Sequence, residues 1–237
     1  MLEQLKAAVL EANLDLVKNG LVTMTWGNVS GCSRKEGLVV IKPSGIEYGR
    51  MTTKDMVVVD MKGDVVEGKR RPSSDTPTHV ALYNAFKSIG GIAHCHSECA
   101  TSFAQAGKEL PCFGTTHADV FHGAVPVTRL LSKREVEDRY EFNTAKVILE
   151  RFKDLDPQAI PGVLVAGHAP FAWGDDAFDA VHHSIVLERV ASMALRSLAL
   201  NPWLSPLPSY LVEKHYQRKH GPKAYYGQPE DKKRKSD

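Results

Sequence analysis

Two histidines stand one residue apart in the segment "GGIAHCHSECA", residues 90–100. The segment is apolar enough to predict a buried strand, and side chains alternate between the two faces of a strand. His94 and His96 would then share one face, while Cys95 would point to the other. Imidazole nitrogen is a common zinc ligand, and a catalytic zinc site takes three protein ligands and keeps an open position. Spacing alone fits a metal site and two ordinary histidines equally well.

A third ligand must come from elsewhere among the ten histidines of the chain. His168 is the best candidate, because the turn in "AGHAPFAWG" follows an apolar strand and would expose its ring. For a carboxylate we favour Asp75, which precedes a predicted helix. Local sequence by itself favours the alternative that Asp75 is an ordinary N-cap. Three imidazoles and one carboxylate would suit zinc, although manganese or cobalt could enter the same site.

The elements that must position these residues alternate between helix and strand. Helices are predicted over 2–18, from Thr76 onward, over 98–107, from Ser132 to about 152, over 176–199 and over 208–219. Strands are predicted within 21–31 and 37–45, in a hairpin that turns at 62–64, around His94 and His96, and twice within 161–174. Residues 111–131 read as strand and loop. One α/β domain is the simplest interpretation.

Composition limits the classes of function. The chain has 237 residues, of which 43% are hydrophobic and 24% charged, and its net charge of +2 predicts no nucleic-acid partner. Apolar runs are too short to span a membrane, and the N-terminus reads as an amphipathic helix rather than a signal peptide. Four cysteines without a CxxC pair favour a reducing cytoplasm. The charged segment 229–237 is predicted to be a disordered tail.

Seven segments in order resemble the class II aldolase family, and the epimerases within it, over about residues 1–228. They are "TWGNVS" (25–30), "IKPSG" (41–45), "PSSDTPTH" (72–79), "HCHS" (94–97), "GTTHAD" (114–119), "GHAPFAWG" (167–174) and "KHYQRKHGPKAYYGQ" (214–228). The resemblance implies an α/β fold whose central, mainly antiparallel sheet lies between helices. It also implies a homotetramer with its sites between subunits.

The same resemblance implies roles for individual residues. The metal ligands would be His94, His96 and His168, with Asp75 as a fourth ligand or close partner. The proton-transfer pair would be Asp119 and Tyr226, and His215 would reach the neighbouring subunit's metal from the C-terminal segment. The substrate phosphate would be held by Gly27, Asn28, Lys42, Ser44, Gly45, Ser73 and Ser74.

The implied reaction inverts C4 of a ketopentose phosphate, interconverting L-ribulose 5-phosphate and D-xylulose 5-phosphate. Oxidation of C4 by NAD would need a G-x-G-x-x-G turn, and the spacing of Gly27 and Gly31 does not provide one. The other route breaks the C3–C4 bond by a retro-aldol step and re-forms it on the opposite face. It leaves an enediolate, whose oxygens a metal ion can stabilise as a Lewis acid. It also needs an acid and a base on opposite faces of the aldehyde.

Two alternatives remain. A class II sugar-phosphate aldolase, such as one acting on L-fuculose phosphate, would share the metal and the fold but release the aldehyde. Those aldolases typically carry Glu after the serine pair, whereas this chain has Asp75 and keeps Asp119, which favours the epimerase. A non-enzymatic module like the adducin head is expected to have lost the histidines, which are all present here.

Overall fold

A seven-stranded antiparallel sheet runs through the computed structural model, which describes residues 2–226. Its strands are β1 (Asn28–Ser33), β2 (Leu38–Ile41), β3 (Val57–Asp60), β4 (Val65–Glu67), β5 (Gly91–His94), β6 (Gly162–Leu164) and β7 (Pro170–Gly174). They lie side by side in the order β4-β3-β2-β1-β5-β7-β6, and neighbouring strands are antiparallel throughout. The predicted fold class is confirmed.

Helices cover both faces of this sheet. They are α1 (Leu2–Lys18), α2 (Thr76–Ala85), α3 (Glu98–Gln105), α4 (Thr115–Ala118), α5 (Lys133–Glu137), α6 (Tyr140–Arg151), α7 (Ala177–Leu200) and α8 (Ser209–His220). No helix in the described part of the chain is long and apolar enough to cross a membrane. The predicted tail 229–237 lies outside the described residues and stays a prediction.

Strand alternation divides the interior into two apolar cores. In β2, Val39 and Ile41 face a core that α2, α3 and α6 cover, whereas Val40 between them faces the core beneath α1. The long helix α7 joins both cores, with Val181 in the second and Leu187 in the first. Apart from the exposed edge strand β4, the sheet is therefore buried on both sides, and a polar side chain reaches solvent from it mainly at strand ends.

The helix predicted from Ser132 to about 152 is interrupted. The predicted capping box is present, since Ser132 and Glu135 exchange hydrogen bonds at the start of α5. The chain then takes a left-handed conformation at Arg139, with a φ of 54°, and α6 begins afresh. The side-chain amide of Asn143 donates to the backbone carbonyls of Glu135 and Asp138, which stabilises the break.

Three other boundaries differ from the prediction. The strand predicted within 21–31 begins only at Asn28, residues 111–131 contain the short helix α4, and β5 ends at His94. His96 therefore lies two residues beyond its strand. All four cysteines are free.

Candidate functional site

Three imidazole rings converge where β5 ends. His94 is the last residue of β5, His96 follows it, and His168 lies in the turn between β6 and β7. Their ligand nitrogens all lie within 4.8 Å of one another. His94 pairs with Phe171 across β5 and β7, which brings the 165–169 turn over the end of β5. Strand alternation does not explain the position of His96, contrary to the prediction, but the three rings meet as expected.

His94 is held in the tautomer that a metal ligand needs. Its Nδ1 lies 2.9 Å from the carbonyl oxygen of Pro170, and because a carbonyl only accepts, Nδ1 carries the hydrogen. The lone pair is therefore on Nε2. The ring is buried and stacks on Phe171 with 4.1 Å between centroids, which fixes its plane. Such a carbonyl contact is the usual support for a metal-binding imidazole.

His96 and His168 favour the neutral form. Burial, and then proximity to His94 and His96, lowers the pKa of His168 to about 4. Burial, followed by the neighbouring His94, also lowers the pKa of His96. Neutral imidazoles offer lone pairs to a cation without first losing a proton. The three converging ring nitrogens, which line an open cleft, fit a divalent ion of the zinc type.

Asp75 lies beside these histidines but outside the group of converging atoms. It occupies the N-cap position of α2, yet its side chain makes no capping hydrogen bond. Instead, Asn28 Nδ2 donates to Asp75 Oδ2 over 2.7 Å. Burial alone would raise the pKa of Asp75, but His94, His79 and the bond from Asn28 outweigh burial and lower it. The structure places an ionised carboxylate next to the three rings.

A group of buried, hydrogen-bonded polar side chains between β1 and α2 fixes the position of Asp75. Asn28 bonds to Asp75, and Ser30 Oγ lies 2.7 Å from His79 Nδ1 and 2.9 Å from the Tyr83 hydroxyl. The four-residue step from Asp75 to His79 rises about 6 Å along α2, and the two-residue step from Asn28 to Ser30 rises about 6.6 Å along β1. The two steps have nearly the same length, so both pairs of residues can meet. Burial lowers the pKa of His79 to about 3, so this histidine is neutral. His79 belongs to the packed interior.

The residues predicted to hold the phosphate line the same cleft as the metal candidates. The cleft measures about 500 Å³ and includes Gly27, Asn28, Lys42, Ser44, Gly45, Ser73, Ser74, Asp75, His94, His96 and His168. Ser73 and Ser74 lie just before α2, and Gly45 has a φ of 71°, which glycine adopts without strain. Burial lowers the pKa of Lys42, whose Nζ stands 4.8 Å from the centre of the Tyr48 ring.

Five further residues line this cleft that sequence reasoning did not assign to the site: Thr25, Trp26, Pro43, Tyr140 and Glu141. The Tyr140 hydroxyl lies 3.4 Å from His168 Nδ1, so it faces the metal candidates directly. Tyr140 reaches the cleft because α6 starts afresh there after the break at Arg139. The sequence predicted one continuous helix from Ser132 to about 152, so it gave no signal that Tyr140 would reach the cleft. The cleft residues Thr25, Trp26 and Pro43 lie within motifs that the sequence did reveal.

The predicted proton-transfer residues form a separate cluster. Asp119 ends α4 and faces α8, where His215 Nδ1 lies 3.1 Å from Asp119 Oδ1. Tyr226 joins them through Arg218, whose guanidinium carbon lies 4.2 Å from the centre of the tyrosine ring. The structure brings Asp119, His215 and Tyr226 together with one another. None of the three is among the residues that line the cleft of the same chain.

Comparison with known proteins agrees with this architecture. Residues 7–195 match the family model described as "Class II Aldolase and Adducin N-terminal domain". Two relatives, each named "L-ribulose-5-phosphate 4-epimerase UlaF", come from Salmonella paratyphi A (strain ATCC 9150 / SARB42) and Salmonella typhi. Each is 56% identical over 227 residues, covering 96% of this chain and 100% of the relative.

Solved structures show the same fold. A chain described as "L-fuculose 1-phosphate aldolase" superposes with a TM-score of 0.75 at 27% identity, covering 91% of this chain and 95% of the other. An L-fuculose-1-phosphate aldolase from Thermus thermophilus gives 0.68 at 22% identity, over 85% and 99% of the two chains. At 22% identity the second likeness concerns the fold alone.

Proposed function

Because this chain belongs to the class II aldolase and adducin family, we propose that it is an isomerase acting as an L-ribulose-5-phosphate 4-epimerase. It would interconvert L-ribulose 5-phosphate and D-xylulose 5-phosphate. The observation that carries the proposal is the cleft that three converging imidazoles share with the residues expected to bind the phosphate. The 56% identity to epimerases over the whole length of each relative favours this substrate.

The metal ion would be zinc, held by His94, His96 and His168 with Asp75 beside it. When bound, zinc supplies positive charge where cleavage of the C3–C4 bond leaves an anion. Asp75 would hold a neighbouring substrate hydroxyl in place, and Asn28, which donates to Asp75 Oδ2, would fix the orientation of the carboxylate. The lowered pKa of Asp75 supports its role as an acceptor.

The phosphate end of the substrate would lie against the start of α2, directly after Ser73 and Ser74. The helix dipole favours an anion at the start of a helix, and Ser73 and Ser74 line the cleft beside it. Lys42 adds a positive charge from the adjoining wall, and Gly45 lets the backbone approach closely. With the phosphate held there, the C3–C4 bond of the substrate would lie towards His94, His96 and His168 in the same cleft.

Asp119 and Tyr226 would transfer the protons. The lowered pKa of Asp119 keeps this carboxylate ionised, so it can accept the proton of the C4 hydroxyl, and Tyr226 can donate on the other face. Because neither residue lines the cleft of its own chain, we propose that a neighbouring subunit supplies them, together with His215, in a homotetramer. The free cysteines support a cytoplasmic location.

Cleavage without re-addition is the competing activity, because a structural relative at 27% identity is described as an aldolase. The test incubates zinc-loaded protein with L-ribulose 5-phosphate and follows D-xylulose 5-phosphate and glycolaldehyde phosphate, with and without a chelator. Formation of the xylulose ester that the chelator stops supports the epimerase. Accumulation of the aldehyde without epimer would establish the aldolase, and no turnover with zinc bound would mean a different sugar phosphate.

A further inference from the structure

Arg218 binds the carboxylate of Asp119 through two nitrogens of its guanidinium group. Its Nε lies 2.9 Å from Asp119 Oδ1 and its Nη2 lies 2.6 Å from Asp119 Oδ2. The two side chains are only 22% and 14% exposed, so solvent screens this ion pair less than it screens a surface pair. A bidentate pair fixes the plane of the carboxylate as well as its distance, which a single ammonium group cannot do.

The same residue also holds Tyr226. The guanidinium carbon of Arg218 lies 4.2 Å from the centre of the Tyr226 ring, a cation–π distance. Its backbone carbonyl accepts hydrogen bonds from the amides of Tyr225 and Tyr226, at 2.9 and 3.1 Å. Arg218 thus joins the end of α8 to the chain that follows it, and it contacts both Asp119 and the tyrosine ring through one guanidinium.

We propose that Arg218 is the positioning residue of the Asp119–Tyr226 pair, fixing the carboxylate through its fork and the tyrosine through its ring contact and its carbonyl. Only the role of this pair in proton transfer rests on the proposed function. The contacts themselves belong to one chain and do not depend on the substrate. Arg218 acts through the two residues that it holds and is not among the residues that line the cleft.

Other charged groups around Asp119 do not duplicate this arrangement. From α8, His215 makes a single bond to Oδ1, Lys219 adds positive charge, and His220 Nε2 contacts the backbone carbonyl. On α7, which also packs against α4, the ring of His183 bonds to the Trp173 carbonyl instead.

Burial would raise the pKa of Asp119, and the bonds from Arg218 and His215 outweigh burial and lower it. Loss of Arg218 is therefore expected to raise the pKa of the Asp119 carboxyl. Because the ionised carboxylate would be the base, the acid side of the pH–rate profile should move to higher pH in a variant without the arginine. A residue with a purely structural role would lower activity without moving that side of the profile.

The test compares Arg218→Gln and Arg218→Lys with Arg196→Gln, which removes an exposed arginine from α7. Arg218→Gln should lower kcat by about tenfold to a hundredfold, as expected for a misplaced proton-transfer group, and should shift the acid side to higher pH. Arg218→Lys keeps the charge but loses the fork, so kcat should fall while the acid side stays near that of the wild type. KM should change little in either variant, and Arg196→Gln should match the wild type.

A measurement without substrate separates this inference from the proposed function. Carbon-13 NMR of the Asp119 carboxyl should show a higher pKa in Arg218→Gln than in the wild type. If the wild type does not act on L-ribulose 5-phosphate, the proposed function fails, and the NMR titration still decides the role of Arg218. An unchanged Asp119 pKa, or wild-type kcat and pH profile in a folded Arg218→Gln, would overturn the inference. If Arg218→Gln does not fold, wild-type kcat in Arg218→Lys would do the same.

Discussion

Replacing His96 by alanine should separate metal binding from folding. His96 is the most exposed of the three converging histidines, whereas His94 is buried and stacked on Phe171. Truncation of an exposed side chain usually changes stability by no more than about 0.5 kcal/mol. We therefore expect metal-free His96→Ala to unfold at nearly the wild-type temperature, while its affinity for zinc falls sharply.

The size of the effect follows from the ligand count. Loss of a supporting partner already weakens metal binding by about 10–100-fold, so loss of one of three ligands should weaken it at least about 100-fold. Zinc at about 100 times the wild-type Kd adds about 2.7 kcal/mol of stability. The same concentration would only equal the variant's Kd and add about 0.4 kcal/mol. At about 2–4 °C per kcal/mol for a chain of this size, the zinc-induced rise in Tm should fall from about 5–11 °C to about 1–2 °C.

Thermal unfolding followed by circular dichroism measures this rise, using chelator-treated protein with and without added zinc. His182→Ala is the matched control, because it removes an exposed histidine from α7 that belongs to no converging group in the described chain. The control should keep the full rise in Tm. A wild-type zinc response in His96→Ala would show that His96 is not a ligand. A large loss of stability without zinc would show that its ring supports the fold.

Two further predictions concern the frame around the site. A Cβ at Gly91 would lie 2.0 Å from the backbone oxygen of Asp176, so Gly91→Ala should lower the free energy of unfolding in urea by about 3 kcal/mol or more. Gly49→Ala, where the added Cβ meets open space, is its control, and equal midpoints for the two variants would contradict the reasoning. Burial lowers the pKa of His117 to about 4 from 6.5, so its contribution to stability is complete above pH 6.5 and is lost as pH falls towards 4. His117→Gln should flatten the pH dependence of stability in that range, and an unchanged slope would refute the assignment.

Much of the fold could be predicted because it depends on local patterns. Apolar segments bounded by turn residues identified most strands of the sheet, and the capping box identified the start of α5 at Ser132. His168 was predictable for the same reason, since a turn between two apolar strands must expose its residues at a sheet end. The motifs that resemble the family added the residues expected to bind the phosphate, and the structure gathers all of them into one cleft.

What the sequence could not reveal depends on contacts between distant residues. The break between α5 and α6 is stabilised by the Asn143 amide and a left-handed Arg139, and neither residue type forbids a continuous helix. Tyr140 could not be assigned to the cleft without that break. The position of His96 beyond the end of β5 likewise depends on where pairing with β7 stops.

Asp75 shows how a local interpretation can have the right position and the wrong contact. Its place before α2 is that of an N-cap, but its carboxylate accepts from Asn28, 47 residues earlier in the chain, and not from the first turn of its own helix. Ser30 holds His79 and Tyr83 further along the same helix face, which fixes α2 in register with β1. The carboxylate is therefore positioned by the packing of a helix on a strand.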